Sequence, residues 1–329
     1  MAEKDSPSFE KINYLLRPKK QIERKIFIEI LQELQENIPN FSNYRYIGMG
    51  SIYYYDYILF HKYLKISKYT SFDDKPIPKR FEFNKPYDFI DFQNEISTDF
   101  LENFKFDSNI IIWLDYDYFL SDDILNDFAL ISRKCRKNDI VIFTIKITCP
   151  RKIGLRKEVM RPFTKYLSQK YQPINKFIAE DKFPYLYQDI CLNYIYKECA
   201  LGNLEFKKLF AFKYANNATM LTVAGIMSDT NEVIDNLTHH CCSKNEEIIT
   251  IGVPNLTYKE KIHLDSRIEY IKKNIDQVEQ SKIQEEIPQE NEKEFVRNAL
   301  GLQFELSIED IKQYVKYYKY YPQYYEGII

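Results

Sequence analysis

The chain has 329 residues, long enough for one large core with an appendage or for two domains. Its 46 basic and 48 acidic residues leave a net charge of −2, which gives no global reason to expect a nucleic acid or an anionic membrane as partner. No stretch has the apolar length of a membrane span, the first residues carry no signal-peptide core, and the six cysteines follow no framework spacing, so a soluble cytoplasmic protein with reduced thiols is expected.

In chain order, Arg17 to Gln35 reads as an amphipathic helix with Ile22, Ile26, Ile30 and Leu34 at helical spacing. Its basic cluster of Arg17, Lys19, Lys20, Arg24 and Lys25 reads as a solvated face. The run YRYIGMGSIYYYDY, Tyr44 to Tyr57, is a short apolar strand that breaks at Gly48 and Gly50 and continues as an aromatic helix. With only 8 glycines in the chain, two at one strand end are informative. They are expected to let the backbone turn sharply and approach a ligand, and the amides that open the next helix attract negative or electron-rich groups. The helix continues over Asp56 to Leu64, and Lys68 to Phe72 is a second strand, followed by Asp73 and Asp74. Phe89 to Ile96 is a third strand and Asn109 to Leu114 a fourth, running into Asp115, Tyr116 and Asp117. Ser121 caps a helix to Lys137 with acids in its first turn, and Asp139 to Ile147 is a fifth strand. Strand alternating with helix implies a parallel sheet, and in such sheets the ligand crevice lies at the carboxyl ends of the strands, where the glycines and the two acidic segments converge.

After a helical stretch from Arg156 to Cys199, LEFKKLFAFKY and ATMLTVAGIMS form a late hairpin turning at Asn216 and Asn217. Asp276 to Glu294 is polar and charged enough for a mobile linker or a surface excursion, and a last helix spans Ser307 to about Tyr318. The divisions expected are a helical extension over 1–43, a Rossmann-like domain over 44–230 and a C-terminal helical extension over 231–329.

This order resembles the class I S-adenosylmethionine-dependent methyltransferases: a doubly wound, mostly parallel α/β sheet with a terminal antiparallel hairpin, here with helical additions at both ends. The resemblance covers about Tyr44 to Ser228 and is specific in order and spacing but loose in letters. It implies S-adenosylmethionine as cofactor, held by the loop Gly48-Met49-Gly50-Ser51 and by Asp73 or Asp74 on its ribose, with Asp115, Tyr116 and Asp117 facing an acceptor that the sequence does not name. Where the family usually has an acid before the first glycine, this chain has Tyr46-Ile47, and a third glycine is replaced by Ser51-Ile52. An acid at the end of the fourth strand could take a proton from a hydroxyl or amine, which points to methyl transfer, O-methyl transfer among the options.

Two other readings stand beside it. Asp115-x-Asp117 after an apolar strand also resembles the metal-binding pair of nucleotide-sugar glycosyltransferases. The same fold could equally serve as a non-catalytic interaction module. His239-His240-Cys241-Cys242 holds four metal-ligand types, but adjacent residues point in different directions and an ordinary loop is the simpler expectation. The tail tyrosines Tyr317, Tyr318, Tyr320, Tyr321, Tyr324 and Tyr325 are expected to pack internally rather than to stack bases.

Overall fold

Apolar strand runs separated by helical ones force a sheet covered on both faces, because parallel strands joined by crossovers carry a helix on each side. In the computed structural model this is realised by one eight-stranded sheet in the order β3-β2-β1-β4-β5-β7-β6-β8. Residues 17–200, 202, 204–215, 217–242 and 246–323 are described. They group into two units, one comprising Ile26–Thr250 and the other residues 17–25 and 251–323.

In the first unit the parallel strands are β1 (Arg45–Met49), β2 (Lys68–Phe72), β3 (Ile90–Gln93), β4 (Ile110–Phe119) and β5 (Ile140–Lys146). β6 (Glu205–Ala215) and β7 (Thr219–Ser228) make the antiparallel hairpin, with β7 pairing to β5. Its turn holds Asn217; Asn216 lies outside the described residues. β8 (Ile249–Ile251) closes the order and was not foreseen, being only three residues long.

Helix α1 (Pro18–Asn37) lays Phe27 against Trp113 of β4 at 4.9 Å between ring centroids. Helix α2 (Tyr55–Tyr63) adds Phe60 to the same side. On the opposite face α5 (Asp122–Lys134) sets Phe128 4.7 Å from Phe143 of β5. Both faces of β4 are therefore dry from Ile110 to Leu114, which explains its unbroken apolar run; each such side chain contributes roughly 1.5–3 kcal/mol of burial. The expected cap of α5 is present: Ser121 Oγ accepts from the Ile124 amide, and Asp122 and Asp123 sit in the first turn.

Several boundaries differ from the sequence reading. Two short helices, α3 (Pro78–Asn84) and α4 (Ser97–Asn103), fill the crossovers around β3. The stretch Arg156 to Cys199 is not one helix; α6 (Ile153–Met160) and α7 (Phe183–Cys199) are separated by short 3-10 turns that contain Pro162 and Pro173, and Pro184 sits in the first turn of α7, where it is tolerated. After β7 comes one short helix, α8 (Glu232–Asp235). All six cysteines are free thiols. No helix of the described residues is long and apolar enough to cross a membrane.

The second unit contains α9 (Tyr258–Ser266), α10 (Ile268–Gln284), α11 (Glu292–Leu300) and α12 (Ile308–Tyr317). Thr257 with Glu260 and Ser307 with Asp310 form capping boxes that start α9 and α12. The polar stretch from Asp276 is helical through Gln284 rather than a linker, because Ile271, Ile275 and Val278 give α10 a buried stripe beneath its charges. The basic residues of early α1 also differ from expectation. Lys20 and Arg24 are buried, and Lys25 Nζ donates to the Tyr320 carbonyl at 2.9 Å, so this face is not solvated. Tyr314, Tyr317 and Tyr321 are buried, and the Tyr321 hydroxyl accepts from the Leu256 amide and donates to the Pro254 carbonyl. The tail thus packs internally as far as it is described; Tyr324 and Tyr325 lie outside the described residues.

Candidate active site

The first strand ends at Met49, so Gly48 belongs to β1, paired with Ser71 of β2 and Trp113 of β4. Neither Gly48 nor Gly50 has a positive φ; among the loop residues that conformation falls to Tyr54, at 44°. The glycines are demanded by close approach instead. A Cβ on Gly48 would lie 2.8 Å from the Tyr46 hydroxyl and 3.0 Å from that of Tyr57. A Cβ on Gly50 would lie 2.9 Å from both Asp73 Cβ and Phe81 Cε1. This corrects the expectation that the glycines make the turn: they let the loop backbone press on its own neighbours, which fixes where Met49, Gly50 and Ser51 run.

Those neighbours are themselves held. The Tyr57 hydroxyl donates to the Gly48 carbonyl at 2.9 Å, with the Thr70 carbonyl at 3.2 Å, pinning α2 to the ends of β1 and β2. The Gly50 amide donates to the Phe72 carbonyl, and the Asp73 amide to that of Gln93, so the chain leaves β2 in a fixed direction. Ser51 starts a tight turn, its carbonyl accepting from the Tyr54 amide. Tyr54 at the cap of α2 and Tyr57 and Phe60 within it are buried, so the aromatic helix after the loop is wedged into the fold by these rings.

Of the two acids after β2, Asp73 is half-buried and Asp74 exposed. Asp73 Oδ1 accepts from the Lys75 amide at 2.9 Å, while Asp74 lies 3.6 Å from Lys75 Nζ. Burial pushes the Asp73 carboxyl up to about 6; the Lys75 amide and ammonium pull it back, and the charges of Asp74 and Asp117 add to the rise. Asp117 is thus within electrostatic reach of Asp73, at the carboxyl ends of β4 and β2, the two strands that flank β1.

The strand β4 does not stop at Leu114 but runs on to Phe119, which changes what its acids can do. Successive side chains of a strand face opposite ways, so Asp115 and Asp117 lie on the Trp113 face while Tyr116 turns to the face of Leu114. Tyr116 is 1% exposed, and its hydroxyl donates to Asp127 Oδ2 at 2.7 Å. Asp127, buried in α5, also accepts from the hydroxyls of Ser97 and Thr98 at 2.5 and 2.7 Å. The tyrosine is thus a tether beneath the strand end and is turned away from the acids. The pairing of β4 with β5 is regular to Asp115 and Thr144, then slips before Phe119 meets Lys146, an irregularity that bends the strand where its acids emerge. Asp115 is half-buried, Asp117 exposed, and exposed Tyr118 and Phe119 follow, with Lys146 Nζ 4.9 Å above the Phe119 ring.

The structure therefore brings Gly50, Asp73 and Asp117 together, leaves Asp74 at the rim and turns Tyr116 inward. Sequence reasoning missed Tyr57, Phe81 and Asp127, which position the site. Asp127 had a visible signal, being the one acid on the apolar face formed by Ile124, Leu125, Phe128 and Ile131.

Five parallel strands in the order 3-2-1-4-5, extended by an antiparallel β7 and with acids at the ends of β2 and β4, make the Rossmann-like fold of the class I methyltransferases. Residues 12–329 match the model of a family described as putative O-methyltransferase, and the chain belongs to that family. No curated protein matches the chain. Among solved structures, it is similar to the N-methyltransferase NodS from Bradyrhizobium japonicum WM9 at 8% identity and a TM-score of 0.35, over 63% of this chain and 97% of that one. The same enzyme in complex with S-adenosyl-l-homocysteine gives 9% and 0.37, over 67% and 96%. A putative S-adenosylmethionine dependent methyltransferase from Listeria monocytogenes gives 9% and 0.37, over 60% and 97%.

Proposed function

We propose that the chain transfers a methyl group from S-adenosylmethionine to an oxygen of its acceptor, with donor and acceptor meeting at the carboxyl ends of β1, β2 and β4. The observation that carries this reading is the placement of Asp73 against Gly50, where any larger residue would collide with it. A half-buried carboxylate, oriented by the Lys75 amide, suits the two hydroxyls of a ribose, which donate and have no charge to be repelled. The backbone of Met49, Gly50 and Ser51 would line the rest of the donor cleft. When bound, the sulfonium supplies an already activated methyl group, so the protein's own part is to align, exclude water and handle one proton. Asp115, half-buried on the same face as Asp117, is the group we assign to accept the proton of the attacking hydroxyl, and exposed Asp117 flanks it. Tyr116 acts at one remove, holding the strand end through Asp127.

The crowding of Asp73, Asp74, Asp115 and Asp117 disfavours an anionic acceptor, and the net charge of −2 offers no compensating field, so a nucleic acid is not the acceptor we propose. The free thiols support a cytoplasmic setting. Calorimetric titration of the full chain with S-adenosylmethionine and S-adenosylhomocysteine tests the donor assignment. Binding that is weakened, though still measurable, in Asp73→Asn and indifferent to a chelator supports it; no binding by the unmodified chain refutes it.

A further inference from the structure

The net charge of −2 hides an uneven spread of cations, and two cationic runs leave the carboxyl edge of the sheet. Residues 75–85, after β2, hold Lys75, Lys79, Arg80 and Lys85 against the single acid Glu82. Residues 151–165, after β5, hold six lysines and arginines against the single acid Glu158. Each run also turns apolar side chains into solvent. Phe83 of α3 is 87% exposed, and Ile153 and Leu155 in the first turn of α6 are 59% and 46% exposed. Single apolar side chains at a surface are ordinary, but here both sets stand among cations on one edge of one sheet.

Both runs are anchored from below. In α3 the Phe81 ring is buried and stacks on Phe92 of β3 at 4.9 Å, so Phe83, two residues on and about 200° around the helix, faces outward. In α6 the buried Arg156 donates from Nε to the Pro150 carbonyl at 2.6 Å and from Nη1 to the Ile178 carbonyl at 3.0 Å. Every residue from Arg151 to Leu155 is exposed, and a Cβ on Gly154 would meet nothing within 4 Å, so this turn projects. Exposed Lys79 and Arg80 precede Phe83, and exposed Arg151, Lys152, Lys157 and Arg161 flank Ile153 and Leu155 along the chain. Among the described residues none of these six cations is in an ion pair, whereas the exposed acids Glu82 and Asp74 are matched by Lys85 at 2.7 Å and Lys75 at 3.6 Å.

We propose that this edge docks reversibly on an anionic lipid surface, with Phe83, Ile153 and Leu155 entering the headgroup layer and the six cations meeting its phosphates. Projecting apolar tips on two separate elements need a soft phase that admits each of them, whereas a folded partner would have to offer each a shaped pocket. Aliphatic tips also give bases nothing to stack on, which disfavours a nucleic acid. Docking does not depend on the methyl transfer proposed at the same edge, and it is read with neither donor nor turnover.

The full chain is sedimented with vesicles of phosphatidylcholine alone and with vesicles containing about a third phosphatidylglycerol. It should bind the anionic vesicles about tenfold more tightly and lose most of that preference between about 0.1 M and 1 M salt, where the screening length falls from roughly 10 Å to roughly 3 Å. Phe83→Ser and Ile153→Ser, at exposed positions where the unfolding temperature should match the wild type, are each expected to weaken binding about tenfold. Arg151→Ala or Lys152→Ala should weaken it roughly fivefold. Equal affinity for the two kinds of vesicle overturns the proposal, and so does a Phe83→Ser, Ile153→Ser double variant that binds like the wild type. A chain that ignores vesicles but binds a soluble polyanion such as heparin overturns it as well, and assigns the edge to an acidic macromolecule.

Discussion

The carboxyl ends of β1 and β2 and the carboxyl end of β4 meet in the same region but are built on opposite terms. At β1 and β2 the side-chain space of the glycines is taken: Tyr46 and Tyr57 lie where a Gly48 side chain would go, and Asp73 and Phe81 where a Gly50 side chain would go. At β4 the strand slips out of register with β5 and ends in exposed Asp117, Tyr118 and Phe119. A donor common to a whole class of enzymes calls for a fixed backbone cradle, whereas an acceptor peculiar to one enzyme is met by exposed side chains that can vary at less cost to the fold. On the assignment proposed above, the difference ties donor recognition to stability and leaves acceptor recognition independent of it.

Variants at the two ends should therefore fail in different ways. The largest effect is expected from Asp115→Asn, which removes the proposed proton acceptor. Transfer of a labelled methyl group into acceptors of a cell extract should fall roughly a hundredfold or more while donor affinity and unfolding temperature stay put. A parallel loss of donor binding would erase the distinction between the two ends. Next comes Gly50→Val, whose branches must displace Asp73 and Phe81. Overpacking of about 1–3 kcal/mol should show as a lower midpoint in urea, together with a drop of about tenfold in donor affinity by calorimetry. Unchanged stability with lost binding would mean that the space belongs to the ligand alone.

The pH dependence sharpens the same contrast. Ribose hydroxyls need the ionised Asp73, so donor affinity should decline as pH falls through about 6. Without donor the sign is reversed for stability: a carboxyl raised from its ordinary 3.8 to about 6 stabilises the fold fully below 3.8 and loses that contribution as pH rises through about 6. Asp73→Asn should accordingly abolish the pH dependence of donor binding while leaving the neutral-pH unfolding midpoint equal or higher. A variant that unfolds earlier at neutral pH would show that Asp73 is chiefly structural. The smallest effect is expected from Tyr116→Phe. It loses one buried hydrogen bond to Asp127, about 1 kcal/mol by denaturant titration, with methyl transfer nearly intact. A transfer rate falling as far as in Asp115→Asn would return the tyrosine to the reaction itself.

The alternation of strands and helices, the hairpin and the class of protein were legible in the sequence because each rests on periodicity and order, which need no partner to be read. Ser121 announced its cap, and Asp73 and Asp115 stood out as acids at the ends of apolar runs. Short α3, α4 and β8 were not legible, since helices of seven residues and a strand of three carry no more than about two periods of pattern. What only the tertiary structure decided is which face each residue took and what filled it. The run from Ile110 stays in the sheet through Phe119, and the strand alternation continued beyond Leu114 sends Tyr116 down to Asp127 while Asp115 and Asp117 face up. Gly48 and Gly50 could be recognised as special, but whether they served a turn or a close approach depended on Tyr57, Asp73 and Phe81, residues brought beside them by the fold. The sequence thus determined where backbone and charge would be in order along the chain; distances across strands, which local pattern does not encode, determined their use.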